Sequence, residues 1–148
     1  MAKLGKDCKF YWGSSLLSDT ETPGTLSWQE IENVRDVNLN LETGEADATS
    51  RKSNGWRQTL TTFKDGSIEF ELLWEPGDAA FDALRAAWQG SSEIALMALD
   101  DDAQVSGSQG LASNFRVPNF SRSEPLEGTV TASVTVKPSS QTDWYEVP

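Results

Sequence analysis

Residues 67–74 read SIEFELLW, a run in which Ile68, Phe70, Leu72 and Trp74 alternate with Glu69, Glu71 and Leu73. A period of two marks a β-strand with one face buried and one wet, because successive side chains leave opposite sides of the pleat. The same period recurs on either side. At 35–41, RDVNLNL, Val37, Leu39 and Leu41 alternate with Asp36, Asn38 and Asn40. At 128–137, GTVTASVTVK, Val130, Ala132, Val134 and Val136 alternate with Thr129, Thr131, Ser133, Thr135 and Lys137. EIALMAL (93–99) is apolar on both faces and reads as a covered strand, and CKFYW (8–12) is a short strand by its aromatic content. LASNFRVPNFS (111–121) carries Phe115 and Val117 but is interrupted by Pro118, which cannot donate to a ladder and so implies an edge or a bulge.

One segment reads as helix. In GDAAFDALRAAWQG (77–90), Asp78 can cap, Phe81, Leu84 and Trp88 recur at helical spacing as core, and Gly90 can end the helix in the left-handed conformation. Trp28–Asn33 suits a helical turn and Gly13–Pro23 a polar loop. The fold class is therefore mainly β, a sheet with one α-helix laid on it. Residues 1–138 form the expected single domain, and 139–148, SSQTDWYEVP, a tail that is mobile or docked on a neighbour.

Between two of these strands lies NLETGEADATSRKSNGWRQT, residues 40–59. Hairpin connections usually run two to about five residues, and long structureless loops are uncommon unless functional or disordered. This one mixes Glu42, Glu45 and Asp47 with Arg51, Lys52 and Arg57, and places Trp56 behind the turn signal Asn54-Gly55. Its composition suits contact with another molecule.

Charge and composition narrow the function. The 148 residues suit one sizeable core, and the net charge of −11 opposes a grip on nucleic-acid phosphates, which draws on clustered Lys and Arg. Cys8, the single cysteine, has no internal disulfide partner and reads as a small buried apolar residue in a strand. The apolar runs are too short for a signal peptide or a membrane span, so a cytoplasmic site of synthesis is expected.

Catalytic chemistry has little to build on. The chain has no histidine, which removes Ser-His-Asp and Cys-His nucleophilic sites and the commonest metal ligand, and one cysteine does not make a zinc site. Glu69 and Glu71 share a strand face, as paired carboxylates in glycoside chemistry do, yet a solvated face explains them as well. Asp100-Asp101-Asp102 lacks the spacing of a calcium loop and reads as a hairpin connection. Of the six tryptophans, Trp74 and Trp88 fall on core faces and Trp12 ends a strand whose facing the pattern does not assign, leaving Trp28, Trp56 and Trp144 as candidate contact residues.

Taken in order, NVRDVNLNLETGEADATSRKSNGWRQT, FKDGSIEFELLWEPGDAAFDALRAAW and FRVPNFSRSEPLEGTVTASVTVKP resemble the major tail tube proteins of long-tailed bacteriophages with non-contractile tails. The resemblance runs from about Cys8 to Pro138; Gly13–Gln29 and the tail lie outside its pattern. It implies a β-sandwich flanked by a helix, six copies in a ring, and rings stacked into a hollow tube through which viral DNA passes without being held. The arm then becomes an assembly device, with Glu42, Glu45, Asp47, Arg51, Lys52, Trp56 and Arg57 at the interface between subunits or rings. Asp36, Asn38, Asn40, Glu69 and Glu71 become the polar wall of the lumen, although the same faces would serve equally in bulk water. The implied partners are other copies of the chain, a tape-measure protein, and tail-tip and terminator proteins. No membrane, cofactor, metal or enzymatic activity is implied, and the location is the virion tail after assembly in the host cytoplasm. Two other readings stay open: a β-sandwich binding module for a carbohydrate or host surface, and the tube protein of a contractile tail or type VI-like system.

Overall fold

Phe10 and Phe70 decide the architecture. Seven strands, β1 (Lys9–Gly13), β2 (Trp28–Glu30), β3 (Val34–Asp47), β4 (Thr59–Leu73), β5 (Ile94–Leu99), β6 (Gln109–Ser123) and β7 (Thr131–Glu146), form one sheet in the order β2-β1-β5-β6-β7-β4-β3. Every pairing is antiparallel. Three strands separate β1 from β4, so a flat sheet would hold them about 19 Å apart. The rings of Phe10 on β1 and Phe70 on β4 nonetheless meet at 4.9 Å between centroids. The sheet therefore rolls over and packs its two halves face to face, a sandwich made from one continuous sheet. This computed structural model describes residues 2–18 and 26–148.

Between the halves lies a core of Phe10, Ile31, Ile68, Phe70, Leu72, Leu96, Phe115, Val134 and Val136, all buried. The alternation at 67–74 and 132–136 holds, with Glu69 and Ser133 outside; at the start of the last strand it fails, since Thr131 is buried and Val130 only half-buried. β6 makes the turn from one half to the other. It pairs with β5 only through Phe115 and with β7 along its length. Its register slips between Arg116 and Asn119, so Pro118 sits in a bulge, where its missing donor costs no ladder bond and the strand can bend.

The helix α1 (Ala79–Gln89) starts where Asp78 accepts the Phe81 N–H at 3.2 Å. It buries Ala80, Phe81, Leu84 and Ala87, with Phe81 edge-on to Trp74 at 4.9 Å. Trp88 departs from expectation. It is 46% exposed, because in the last turn the inward contact is made by the small Ala87 while the indole lies at the margin of the stripe. Gly90 also keeps a negative φ, and the left-handed residue is Ser91.

Other expectations change. Trp28–Glu30 is a strand, not a helical turn, because the edge of β1 offers ladder partners: Trp28 lies across from Gly13 and Glu30 across from Tyr11. Cys8 is exposed, one residue before β1 begins, and so is not part of the core. Residues 139–146 are the second half of β7 rather than a free tail. They pair with β6 through Gln109↔Glu146, Gly110↔Tyr145 and Leu111↔Trp144, filling the side of β6 that β5 leaves open. The polar loop after Gly13 is anchored where Asn114 accepts the Leu17 N–H at 2.8 Å and donates to its carbonyl at 3.0 Å; residues 19–23 of that loop lie outside the described residues. The three aspartates at 100–102 do connect β5 to β6.

Candidate assembly interface

The long arm exists, but nearly half of residues 40–59 is ladder. β3 and β4 stay paired from Val34↔Leu72 out to Asp47↔Thr59, so only residues 48–58 form the connection. Backbone groups along such a segment need partners, and the partner strand TLTTFKDG supplies them where side-chain patterning alone gave no sign. The tip organises itself as well. Ser50 and Ser53 cap a 3-10 turn at Arg51–Ser53 by bonding each other's backbone. Asn54 and Gly55 follow with φ of 57° and 85°, the left-handed region their residue types favour. Ala48 donates its N–H to the Gln58 carbonyl at 2.9 Å. Thr49, by its side chain and then its N–H, hydrogen-bonds the Asp47 carboxylate and holds it below the ordinary carboxylate range.

All seven residues expected at the interface, Glu42, Glu45, Asp47, Arg51, Lys52, Trp56 and Arg57, are exposed on this hairpin. Three further large apolar side chains are bare on the same hairpin: Leu60 and Phe63, which the sequence reading passed over, and Leu41, which it placed with Val37 and Leu39 on the buried face. Leu60 is 63% exposed, Phe63 84% and Leu41 more than half, beside Trp56 at 78%. An apolar pair spaced by two threonines in LTTF (60–63) was the available signal, and it lies between the expected loop at 40–59 and the expected strand at 67–74, in a stretch given to neither. No residue from 40 to 67 belongs to either buried cluster of the described residues, so these side chains contribute nothing to the core.

The second surface is the outer face of the β3-β4-β7-β6 half. Cross-strand rows run Asn38, Glu69, Thr135, Asn119 and, one step along, Arg35, Glu71, Ser133, Ser121. Asn40 faces Ser67 in the next row. Of the five wall candidates, Asn38, Asn40, Glu69 and Glu71 thus share one face. Asp36 does not share their register, because a bulge falls between Arg35 and Asn38. The same bulge turns Val37 outward, to 39% exposure, while Leu39 still packs on the core. The face is mostly amide and hydroxyl, with Arg35 directly across from Glu71. Among these ten residues the charges are two carboxylates, Glu69 and Glu71, and one guanidinium, Arg35.

Among the described residues no group of His, Cys, Asp and Glu is arranged to hold a metal, and no helix is long and apolar enough to cross a membrane. A rolled antiparallel sheet, a projecting hairpin with bare apolar side chains, and a polar sheet face are features of a structural subunit with a surface for a partner. The family model described as "Phage tail tube protein" matches residues 14–141, and the chain belongs to that family. It is a structural subunit of a phage tail tube, and tail tube proteins are components of the virion tail. Solved structures agree on the fold. A chain in the tail of an empty gene transfer agent particle, refined with C6 symmetry, is 15% identical with a TM-score of 0.72, covering 97% of this chain and 99% of that one. The SPP1 tail tube gives 17% and 0.72, with 98% and 80% covered. A chain of the anti-feeding prophage baseplate gives 8% and 0.62, with 99% and 97% covered. A direct search of curated protein sequences finds no match.

Proposed function

We propose that six copies of the chain close into a ring and that rings stack into a hollow tube conducting viral DNA, with the β3–β4 hairpin joining each copy to its neighbours. The observation that carries this reading is the hairpin itself, which extends the sheet well beyond the core and bares Trp56, Leu60 and Phe63. Large apolar side chains held out on an ordered support indicate a partner surface. The C6 symmetry of the gene transfer agent tail supports the ring of six. The amide and hydroxyl face carrying Asn38, Asn40, Glu69 and Glu71 lines the lumen, where a wall poor in free cations leaves phosphate unbound. Residues 1–138 with the docked strand 139–146 act as one domain, without cofactor, metal or catalysis. Tape-measure, tip and terminator proteins are its further partners, and assembly takes place in the host cytoplasm.

Electron microscopy of the purified protein at high concentration tests the proposal: hollow tubes with a regular ring repeat are expected, and deletion of residues 49–57 leaves a folded monomer without tubes. A protein that stays monomeric under all conditions, or tubes formed by the deletion variant, would overturn it. Contractile systems use the same fold, and the likeness to the sheath–tube complex of an extracellular contractile injection system has a TM-score of 0.59, below that to SPP1. A sheath gene beside this one would reverse the non-contractile assignment.

A further inference from the structure

On the outer face of the β1-β5-β6-β7 half lies a second, smaller buried cluster, and beside it a cavity of about 250 Å³. Tyr11 and Met97 are buried against it, Trp28 and Tyr145 are half-buried around it, and Glu30 and Asp102 line it. None of its lining residues is Lys or Arg. The Tyr11 hydroxyl accepts the Ala103 N–H at 3.0 Å, which fixes that ring in place. Glu30 is in contact with Lys9 at 3.2 Å, and Asp102 uses one carboxylate oxygen to accept the Gln104 N–H at 2.9 Å. Two carboxylates thus belong to the lining of the cavity. Aromatic faces attract a cation through their quadrupole, and carboxylates bond a guanidinium through paired N–H donors. The cavity therefore has the chemistry of a receptor for a cationic side chain.

The distribution of positive charge identifies where that side chain comes from. The chain has 12 Lys and Arg. Of the eight outside the arm tip, Lys3, Lys9, Arg85, Arg116 and Arg122 have acidic partners within 4.0 Å, while Lys6, Arg35 and Lys137 stand singly along the chain among many acidic residues. Residues 48–64 hold Arg51, Lys52, Arg57 and Lys64 with no Asp or Glu among them, and none of these four is in an ion pair with another of the described residues. A basic tip thus stands on a body that is otherwise strongly acidic. The tip stands at the end of β3, a strand of at most about 45 Å at the opposite edge of the sheet from β2 and β1, so it projects away from the cavity of its own copy.

We propose that the cavity of Tyr11, Trp28, Tyr145, Glu30 and Asp102 receives a basic side chain of residues 51–57 from a second copy. This rests on the reading that the hairpin joins copies, and it names the receiving surface. The contact is head-to-tail, the kind that repeats along a polymer without closing on a pair.

The test uses two full-length variants. One reverses the arm, Arg51→Glu/Lys52→Glu/Arg57→Glu; the other reverses the cavity, Glu30→Gln/Asp102→Lys. Each alone, shown to be folded by circular dichroism, should fail to assemble at low salt. Mixed, they should co-assemble, since each arm now finds a complementary cavity on the other variant. The milder Asp102→Asn should raise the critical concentration about tenfold, a loss typical of a charge-assisted contact. Wild-type assembly by a folded cavity variant, or a mixture that stays apart while wild type forms tubes, would overturn the inference and leave the tube reading intact. Should wild type form no tubes, the tube reading falls; mixed oligomers by sedimentation would still support this contact, and their absence would end it.

Discussion

Replacing Phe63 with Ser separates folding from assembly. The side chain is 84% exposed, so the isolated subunit loses almost nothing, within about 0.5 kcal/mol, the usual range for surface substitutions. If a neighbour covers the ring, about 170 Å² of apolar surface leaves water at that contact, which is worth about 4 kcal/mol at 25 cal/mol per Å². Interface residues of this kind lose about 2 kcal/mol or more on truncation. A range of about 2–4 kcal/mol per contact corresponds to a critical concentration about 30- to 900-fold higher. Urea denaturation of the monomer and pelleting of tubes across a concentration series measure the two halves of the argument. Tubes forming at the wild-type concentration would show that the ring meets no partner, and a lower denaturation midpoint would show that it belongs to the core.

Three further outcomes are expected. Phe81→Ala should cost about 3–5 kcal/mol of stability, whereas Trp88→Ala should cost less than half of that, because Trp88 is largely outside the core; equal shifts in denaturation midpoint would contradict the burial pattern. Asn38→Lys/Glu69→Lys/Glu71→Lys should leave the apolar face unchanged and still give tubes, but tubes that retain DNA at low salt and release it as salt rises; retention that is absent or insensitive to salt would remove this face from the lumen. Hydrogen bonding from Thr49 lowers the pKa of Asp47 from 3.8, so the contact is present above that value and is lost as pH falls through the lower, folded one. The Thr49 amide shift should therefore titrate below pH 3.8, and a midpoint at or above it would show that the contact does not hold in solution.

The two-residue alternation located the strands because one face of each is buried in the fold. Ile68, Phe70 and Leu72 or Val134 and Val136 could be read directly for that reason. Where burial does not govern the chain, the pattern misled. Val37 follows the alternation, yet a bulge turns it outward. Trp88 keeps helical spacing, yet lies where the helix no longer covers the sheet. Glu42–Asp47 and Thr59–Lys64 have no buried face at all, so nothing in their hydrophobicity announced that they pair, and Leu60 and Phe63 were overlooked in consequence. The cavity at Tyr11, Trp28 and Tyr145 draws on strands scattered along the chain, whose meeting depends on the order β2-β1-β5-β6-β7. Local spacing does not encode that order.

The stretch 40–67 contributes no side chain to either buried cluster. Selection on stability and selection on partner choice consequently act on different residues. If the arm joins copies as proposed, a substitution at Trp56, Leu60 or Phe63 changes whom the subunit joins without threatening whether it folds, and a substitution at Phe70 or Phe115 does the reverse. Lineages carrying this architecture are free to diverge rapidly in their arms, becoming unable to mix subunits with one another, while the sandwich underneath drifts only as far as its packing allows.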